Sequence, residues 1–280
     1  MSATDLNYAC PAHWMTEPVR VCLIGVGGTG SEVLDGLARM HHGLRGLGHP
    51  HGLAVTVYDA DTVSESNVGR QRFSPADVGR NKAITLVHRY NLFYGLDWDA
   101  QPAMLEPEAD LHTLSAADLI LTCVDQARFR ADLGLALRRQ EQPEDCSQRW
   151  YPKRKGEVLW LDFGNGRHTG QAVLGHALGR MPQGGLRLPN VFDLYPELDG
   201  QNEDDSGPSC SLAAALAEQD LWVNKFASMA LALLWTLLTQ GRIDRHGCFF
   251  DSAAMSMRPL MIDPQTWAMM GVYESKAAAV

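Results

Sequence analysis

Apolar and polar positions follow two different periods along the first part of the chain. Val19 to Ile24 is a short run rich in β-branched residues that ends in Gly25, and apolar residues then recur at helical spacing from Ser31 to Met40. The segment from His41 to Gly52 combines glycines and histidines with Pro50, which favours a loop. The pattern therefore predicts a strand, a glycine turn, a helix and a long loop.

Further strands and helices alternate in the same way. The predicted elements are strands over Val55–Tyr58 and Leu119–Val124 and helices over Asn81–Phe93 and Ala127–Gln140. Strands that alternate with helices imply a parallel sheet, and ligands of such sheets lie beyond the carboxyl ends of the strands. Gly25, Asp59 and Asp125 each follow one of the predicted strands, so we expect them to share one edge of the sheet.

The second half of the chain predicts an antiparallel addition to this sheet. Glu157–Phe163 and Gln171–Ala177 alternate as a strand pair, and Gly247–Ile262 is typical of a terminal hairpin. Leu212–Gln240 is strongly helical and predicts two helices or one bent helix. The predicted fold class is α/β, with a Rossmann-like, mostly parallel sheet flanked by helices and a C-terminal antiparallel extension.

Composition narrows the class of protein. The 280 residues are 45% hydrophobic, and 24 basic against 33 acidic side chains give a formal net charge of −9. This acidity argues against nucleic-acid binding through general phosphate neutralisation. No secretory signal opens the chain, and the longest apolar stretch, Phe226–Leu238, is too short to cross a membrane. Six cysteines form no C-x-x-C pair, so we expect neither structural zinc nor a disulfide framework, in a cytoplasmic chain.

The glycine turn is the first candidate for chemistry. Gly25-Val26-Gly27-Gly28-Thr29-Gly30 lies between the first predicted strand and helix, where backbone N–H groups can bind a phosphate. The motif alone leaves open ATP, a dinucleotide, or glycines that only permit tight packing. A dehydrogenase places its ribose-binding acid about 20 residues beyond the turn. Asp59 comes 59 − 30 = 29 residues after Gly30, which weakens the dehydrogenase interpretation.

The segment from Asp59 to Gln71 carries the most specific pattern. It reads D-A-D-T-V-S-E-S-N-V-G-R-Q, and a G-x-x-K follows at Gly79–Lys82. Together with the glycine turn and Asp125, it resembles the ThiF/MoeB family of ubiquitin-activating-type adenylating enzymes, whose pattern is D-x-D-x-V-x-x-S-N-L-x-R-Q. Only Val68 departs from it. The resemblance covers about the first half of the chain, and features around Cys210, Gln219–Trp222 and Asn224 are most similar to the PRTRC-system ThiF members.

The resemblance implies an ATP and Mg²⁺ site made of glycines, carboxylates, amides and two cations. The residues expected to bind nucleotide are Gly25, Gly27, Gly28, Gly30, Asp59, Asp61, Asn67, Arg70, Gln71 and Lys82. Within this set Asp59 would hold the ribose, while Arg70 and Lys82 would hold phosphates and act with Asp125, the expected Mg²⁺ ligand, in catalysis. Simpler structural roles stay open: the aspartates could cap a turn, Arg70 could pair with one of them, and Lys82 could be solvated.

Cys210 is the fourth expected catalytic residue. In the family, a cysteine in the loop before the long C-terminal helix receives the acyl group or joins a sulfur relay, and Cys210 occupies that place before Leu212. A nearby helix N-terminus would favour its thiolate. Cys146 is a weaker rival in a polar segment, whereas Cys22 and Cys123 fall in predicted buried strands and are expected to be inert.

These features predict an enzyme that adenylates the C-terminal carboxylate of a small ubiquitin-like or sulfur-carrier protein. A single domain over residues 1–280 would comprise a nucleotide-binding half, 19–140, and a carrier-binding and dimerisation half, 141–280. The family implies a homodimer and a downstream conjugating protein, and no nucleic-acid or membrane partner is expected. The N-terminal arginine that dimeric relatives lend to the partner is not recognisable. A nicotinamide-dependent oxidoreductase and a noncatalytic adaptor with the same fold are the alternatives.

Overall fold

The computed structural model describes residues 6–141, 157–178, 186–195 and 219–272. Its strands are β1 (Tyr8–Ala9), β2 (Val19–Ile24), β3 (Leu53–Tyr58), β4 (Asp99–Gln101), β5 (Leu119–Thr122), β6 (Val158–Asn165), β7 (Thr169–Leu178), β8 (Arg242–Ile243), β9 (Arg245–Asp251) and β10 (Ser256–Met261). Its α-helices are α1 (Gly28–Gly46), α2 (Lys82–Tyr94), α3 (Leu111–Leu114), α4 (Ala127–Glu141), α5 (Val191–Leu194), α6 (Val223–Ser228), α7 (Leu231–Gln240) and α8 (Pro264–Met269).

The central sheet combines a parallel and an antiparallel part. Within the described ranges its eight strands follow the order β10-β9-β7-β6-β5-β2-β3-β4. The five strands from β6 to β4 run parallel, whereas β7, β9 and β10 pair antiparallel. Both the predicted fold class and the predicted antiparallel extension are confirmed.

The strand order reverses around β2, and this reversal determines where a ligand can lie. From β2 the chain continues on one side to β3 and later on the other side to β5. Crevices form outside the carboxyl ends of strands at such a switch point. All four residues of β5 are buried, as expected for a strand that helices cover on both faces. Gly25 and Cys123 begin the two loops that leave β2 and β5 at this point.

Helix α1 corrects the loop predicted over His41 to Gly52. The helix continues to Gly46, and only the rest of that segment connects to β3. Leu44 is 2% exposed, so the last turns still contribute to the core. Gly43 faces the ring of Trp235, where a larger residue would collide. The glycines that suggested a loop therefore serve close helix packing here.

Several other boundaries also differ from the prediction. Strand β5 ends at Thr122, so Cys123 follows it rather than lying within it. The segment predicted to be helical up to Gln240 contains two described helices. The first, α6, begins at Val223, and Met229 and Ala230 separate it from α7. The short strands β1, β4 and β8 and the short helices α3, α5 and α8 were not predicted. Across the described residues, no helix combines the length and apolarity that a bilayer span requires.

Candidate functional site

The glycine turn between β2 and α1 is defined by close backbone contacts. Gly25 has φ +83°, a conformation that favours glycine, and its N–H donates to the carbonyl of Tyr58 at 2.9 Å. A Cβ on Gly30 would lie 1.9 Å from the carbonyl oxygen of Gly25. Helix α1 begins at Gly28, so its N-terminal N–H groups face the switch point. These contacts agree with the interpretation that the glycines permit tight packing. The same backbone geometry can also bind an anion.

Asp59 links the glycine turn to the Asp61 loop by hydrogen bonds. Its Oδ2 accepts the N–H of Val26 at 2.7 Å, and its Oδ1 accepts the N–H of Asp61 at 2.9 Å. Burial raises the pKa of the Asp59 carboxyl, although these two backbone hydrogen bonds oppose the shift. The structural role suggested as an alternative is therefore real for Asp59. The carboxylate lies between the glycine turn and the Asp61 loop.

Lys82 is buried at the start of α2. Its side chain is 9% exposed, and its Nζ lies 2.8 Å from Oδ2 of the exposed Asp61. The preceding residue, Asn81, caps α2 through its Oδ1 and donates its Nδ2 to the carbonyls of Asp59 and Asp61 at 2.8 and 3.1 Å. The alternative of a solvated lysine is wrong, because the cap brings Lys82 against the end of β3.

The loop that carries Arg70 is stabilised from within. Asn67 is buried, and its Oδ1 accepts the N–H of Ser64 at 3.0 Å in a capping box. The carbonyl of Asn67 accepts the N–H of Gln71 at 2.9 Å. Gln71 lies beside Gly27, and its buried Oε1 accepts no hydrogen bond from the described residues. A ligand that brings a donor to the turn would satisfy this oxygen.

Arg70 contacts the C-terminal half of the chain. Its Nη1 donates to Oε1 of Gln219 at 3.2 Å, and Nδ2 of Asn224 donates to the same oxygen at 3.3 Å. Nothing in the local sequence around Arg70 predicts these two partners. Both partners lie in the segment that resembles the PRTRC members, and that resemblance did not assign them a chemical role.

A cavity of about 320 Å³ opens beside Arg70. Glu32 on its wall is bonded to Arg72 at 2.9 Å and to Lys225 at 2.8 Å. Burial raises the pKa of the Glu32 carboxyl, but the hydrogen bonds and charges of Arg72 and Lys225 outweigh it, so the net pKa is lowered. The side chain of Trp222 is largely exposed at the rim of this cavity.

Asp125 is exposed just beyond β5, on a loop that Arg130 anchors. Arg130 is buried, donates Nη2 to the carbonyls of Val124 and Phe163 at 2.7 Å each, and pairs its Nε with Asp162 at 2.8 Å. An aspartate inside the apolar run of β6 was the available sequence signal for this pair. No cluster of three or more His, Cys, Asp or Glu side chains suited to a metal occurs in the described ranges. Mg²⁺ needs fewer, since it usually takes one or two carboxylates plus phosphate oxygens.

The four cysteines named in the sequence analysis fall into two groups. Cys22 is buried in β2, and burial raises the pKa of its thiol to about 12. Burial likewise raises the pKa of Cys123. Neither thiol forms a ready nucleophile near neutral pH, as predicted. Cys146 and Cys210 lie outside the described residues.

Comparisons with known proteins agree with this fold. E. coli MccB solved with ATP aligns at 14% identity over 87% of this chain and 64% of that one, with a TM-score of 0.56. MccB solved with MccA-N7isoASN aligns at 15% identity over 87% of this chain and 64% of that one, with a TM-score of 0.52. Selenomethionine PaaA aligns at 13% identity over 87% of this chain and 64% of that one, with a TM-score of 0.55. The chain thus spans less than two thirds of the length of these proteins. No curated protein matches it.

The sequence itself matches a family description over its first half. The match, to the model described as "ThiF family", covers residues 16–143, from just before β2 to just after α4. This segment includes the glycine turn, the Asp59–Gln71 loop, Lys82 and Asp125. Residues 16–143 of the chain are therefore similar to the ThiF family.

Proposed function

We propose that the chain is an ATP-dependent adenylating enzyme whose substrate is a carboxylate. One observation carries this proposal: a single set of contacts at the carboxyl ends of β2 and β3 joins the glycine turn, Asp59 and the buried cation Lys82. A triphosphate suits such a site, because fixed cations and helix N–H groups stabilise phosphate charge. That MccB, which has the same fold, was solved with ATP supports the choice of nucleotide.

The chemistry needs little from the protein besides positioning and charge. An oxygen of the substrate carboxylate attacks the α-phosphorus of ATP, the new P–O bond forms, and the bond to pyrophosphate breaks with its electron pair. The carboxylate is already ionised, so no general base is required. Arg70 and Lys82 hold the phosphates on which charge develops. Bound Mg²⁺, with Asp125 as its protein ligand, would neutralise part of the same charge.

The substrate class follows from the family resemblance. We infer that the carboxylate is the C-terminus of a small ubiquitin-like or sulfur-carrier protein, and that the enzyme acts as a homodimer. That MccB, which has the same fold, was solved with MccA-N7isoASN supports a substrate larger than a nucleotide. Cys210 would then attack the acyl carbon of the adenylate as its thiolate, forming a thioester and releasing AMP.

Nucleotide preference is the first test of this proposal. Calorimetric titration of the whole chain should show binding of ATP with Mg²⁺ and much weaker binding of NAD. The reason is that Arg70, Lys82 and Asp125 together suit a triphosphate with its metal, whereas a dinucleotide has no use for all three. Binding of NAD without binding of MgATP would instead favour the oxidoreductase alternative.

Pyrophosphate exchange tests the reaction itself. The chain should incorporate labelled pyrophosphate into ATP only when a small β-grasp protein ending in glycine is present. The same carrier protein lacking its terminal glycine is the matched control, since it retains the surface and loses the reacting end. Nucleotide binding without exchange for any carrier would favour the noncatalytic adaptor.

The cysteine step is tested separately. Cys210→Ala should leave pyrophosphate exchange almost unchanged and abolish a carrier adduct that dithiothreitol removes on a nonreducing gel. Cys146→Ala is the control and should retain the adduct. If Cys146→Ala loses the adduct and Cys210→Ala keeps it, the nucleophile is Cys146. If the parent protein forms no adduct, the reaction stops at the adenylate.

A further inference from the structure

A network of side-chain amides connects the start of helix α1 with Arg70. Asn224, in α6, is 2% exposed and forms its centre. Its Oδ1 accepts Nδ2 of Asn165 at 3.0 Å and Oγ1 of Thr29 at 2.9 Å, while its Nδ2 donates to Oε1 of Gln219 at 3.3 Å. Gln219 in turn accepts Nη1 of Arg70 at 3.2 Å. Helix α1, strand β6 and the Gln219 segment therefore meet at one buried amide in α6.

The donors and acceptors of this network fix its direction. The oxygen of Asn224 accepts Nδ2 of Asn165, and the single hydroxyl proton of Thr29 is shared between this oxygen and Oδ1 of Asn165, at 2.9 and 3.1 Å. The amide nitrogen of Asn224 is the group that faces Gln219. Gln219 must then present its carbonyl oxygen at this point, and an oxygen is what a guanidinium requires. The orientation of the Gln219 amide is thus set by residues that do not themselves contact Arg70.

The glycine turn makes room for this arrangement. A Cβ on Gly28 would lie between 2.6 and 3.0 Å from three side-chain atoms of Asn224. The first residue of α1 is consequently in contact with the amide that leads to Arg70. The N-terminus of α1 and the arginine are thus linked through the amides of Asn224 and Gln219.

We propose that Asn224 and Gln219 are positioning residues that hold the Arg70 guanidinium at the phosphate end of the site. This inference rests on the proposed adenylation. It names two residues in the second half of the chain that the nucleotide-binding half would need for that reaction. Neither residue contacts the reacting atoms. Each acts by limiting where the guanidinium can point, which matters because misplacement by about 1 Å can cost on the order of 100-fold in rate.

Kinetics of a double-mutant cycle test the coupling. Asn224→Ala should lower kcat for pyrophosphate exchange on the order of 10-fold or more, with the KM for ATP changed far less, because a misplaced cation chiefly fails the transition state. In an Arg70→Ala background the same substitution should have almost no further effect. Additive losses in the double variant would overturn the proposal, since they would show that Asn224 acts independently of Arg70.

A matched control separates positioning from general stability. Asn91 is a half-buried amide in α2 that hydrogen-bonds twice to the backbone of Trp98, at 2.9 and 3.2 Å. Asn91→Ala should destabilise the fold and leave kcat for exchange unchanged. If Asn224→Ala fails to fold, Gln219→Met replaces it, because this variant keeps the side-chain length and removes the amide together with its acceptor oxygen. A parental kcat in folded Gln219→Met would overturn the proposal.

A measurement without nucleotide keeps this test distinct from the proposed function. The Nε–Hε group of Arg70, assigned by its loss in Arg70→Lys, should be ordered in the ¹⁵N relaxation of the nucleotide-free parent protein. It should become mobile in Gln219→Met and stay ordered in Gln219→Glu, which retains an acceptor oxygen. If the parent protein shows no exchange but this pattern holds, only the proposed function fails. If Arg70 stays equally ordered in Gln219→Met, the positioning proposal fails whatever the enzyme does.

Discussion

Lys82 and Asp61 form an ion pair of very unequal exposure. Their atoms Nζ and Oδ2 lie 2.8 Å apart, but the lysine side chain is 9% exposed and the aspartate side chain 67%. A cation whose stem is buried has a fixed position, whereas its exposed partner can move aside. An entering phosphate can therefore meet Lys82 without rearrangement of α2, which is the form of preorganisation that catalysis uses.

Lys82→Met should separate catalysis from folding. The substitution keeps a buried, unbranched side chain and removes the charge, so pyrophosphate exchange should fall on the order of 10²–10³-fold. The free energy of unfolding should change little, because Asp61 can be solvated once unpaired. Asp61→Asn removes the same ion pair and keeps the cation, so its free energy of unfolding is the matched control for stability. Exchange at the parental rate in Lys82→Met would exclude a catalytic role.

Asp125→Asn should weaken the dependence on Mg²⁺. An amide cannot match a carboxylate as a ligand for a hard divalent cation, so the Mg²⁺ concentration for half-maximal exchange should rise. Asp132→Asn, an exposed change on α4, is the matched control and should leave the titration unaltered. An unchanged titration in Asp125→Asn would remove the residue from the metal site.

Two glycines of α1 should respond in opposite ways to alanine. Gly30→Ala would place a Cβ 1.9 Å from the carbonyl of Gly25, so it should strongly destabilise the fold and abolish nucleotide binding. Among the residues that the structure describes, no atom lies within 4 Å of a Cβ at Gly46. Gly46→Ala should raise the free energy of unfolding by about 0.5–1 kcal/mol, since alanine favours helix. Urea denaturation measures both, and a stable Gly30→Ala would contradict the described turn.

His246 should make the fold sensitive to mild acid. Its Nδ1 donates to the carbonyl of Leu174 at 2.8 Å, and its Nε2 accepts Nε1 of Trp267 at 2.9 Å, so a second ring proton would face another donor. Burial lowers the pKa of His246 to about 4, and nearby His176 adds to the shift. The unfolded chain binds this proton below its ordinary pKa of about 6.5. The free energy of unfolding should therefore fall by about 3 kcal/mol as the pH drops from 6.5 to 4.

Comparison of variants isolates that contribution. His246→Gln removes the titrating ring, so its loss of stability between pH 6.5 and 4 should be smaller by most of that amount. His51 is exposed, and His51→Gln should retain the full pH dependence. Urea denaturation at pH 6.5, 5 and 4 gives the comparison. Parallel curves for the parent protein and His246→Gln would assign the acid sensitivity to other groups.

The elements of the fold were predictable where the pattern was local. Strands β2, β3 and β5, helices α1, α2 and α4, and the antiparallel pair β6 and β7 follow from hydrophobic periodicity. The last turns of α1 were missed because Gly43 and Gly46 resemble loop residues, although tertiary packing against Trp235 uses the first of them. Helix α8 is short, and Pro264 at its start gave only a weak signal beside the hairpin.

The site was predictable only in its residue types. The motif named Arg70 and Lys82, but burial of Lys82 depends on the Asn81 cap and on the end of β3, which no spacing reveals. Gln219 lies 149 residues from Arg70 along the chain, and such a contact leaves no mark in local sequence. Cys210 stays a prediction.

The position of β5 in the sheet has a consequence for how the chain can be divided. This strand pairs with β2 on one side and β6 on the other, and β6 begins at Val158, after the ThiF match has ended at residue 143. A fragment cut at that point would keep the motif residues from Gly25 to Asp125 and leave β5, whose first three residues are aliphatic, as a bare edge. Such edges recruit strands from other molecules. The recognisable module and the unit that can fold alone are therefore different lengths of chain, and the shorter one should aggregate.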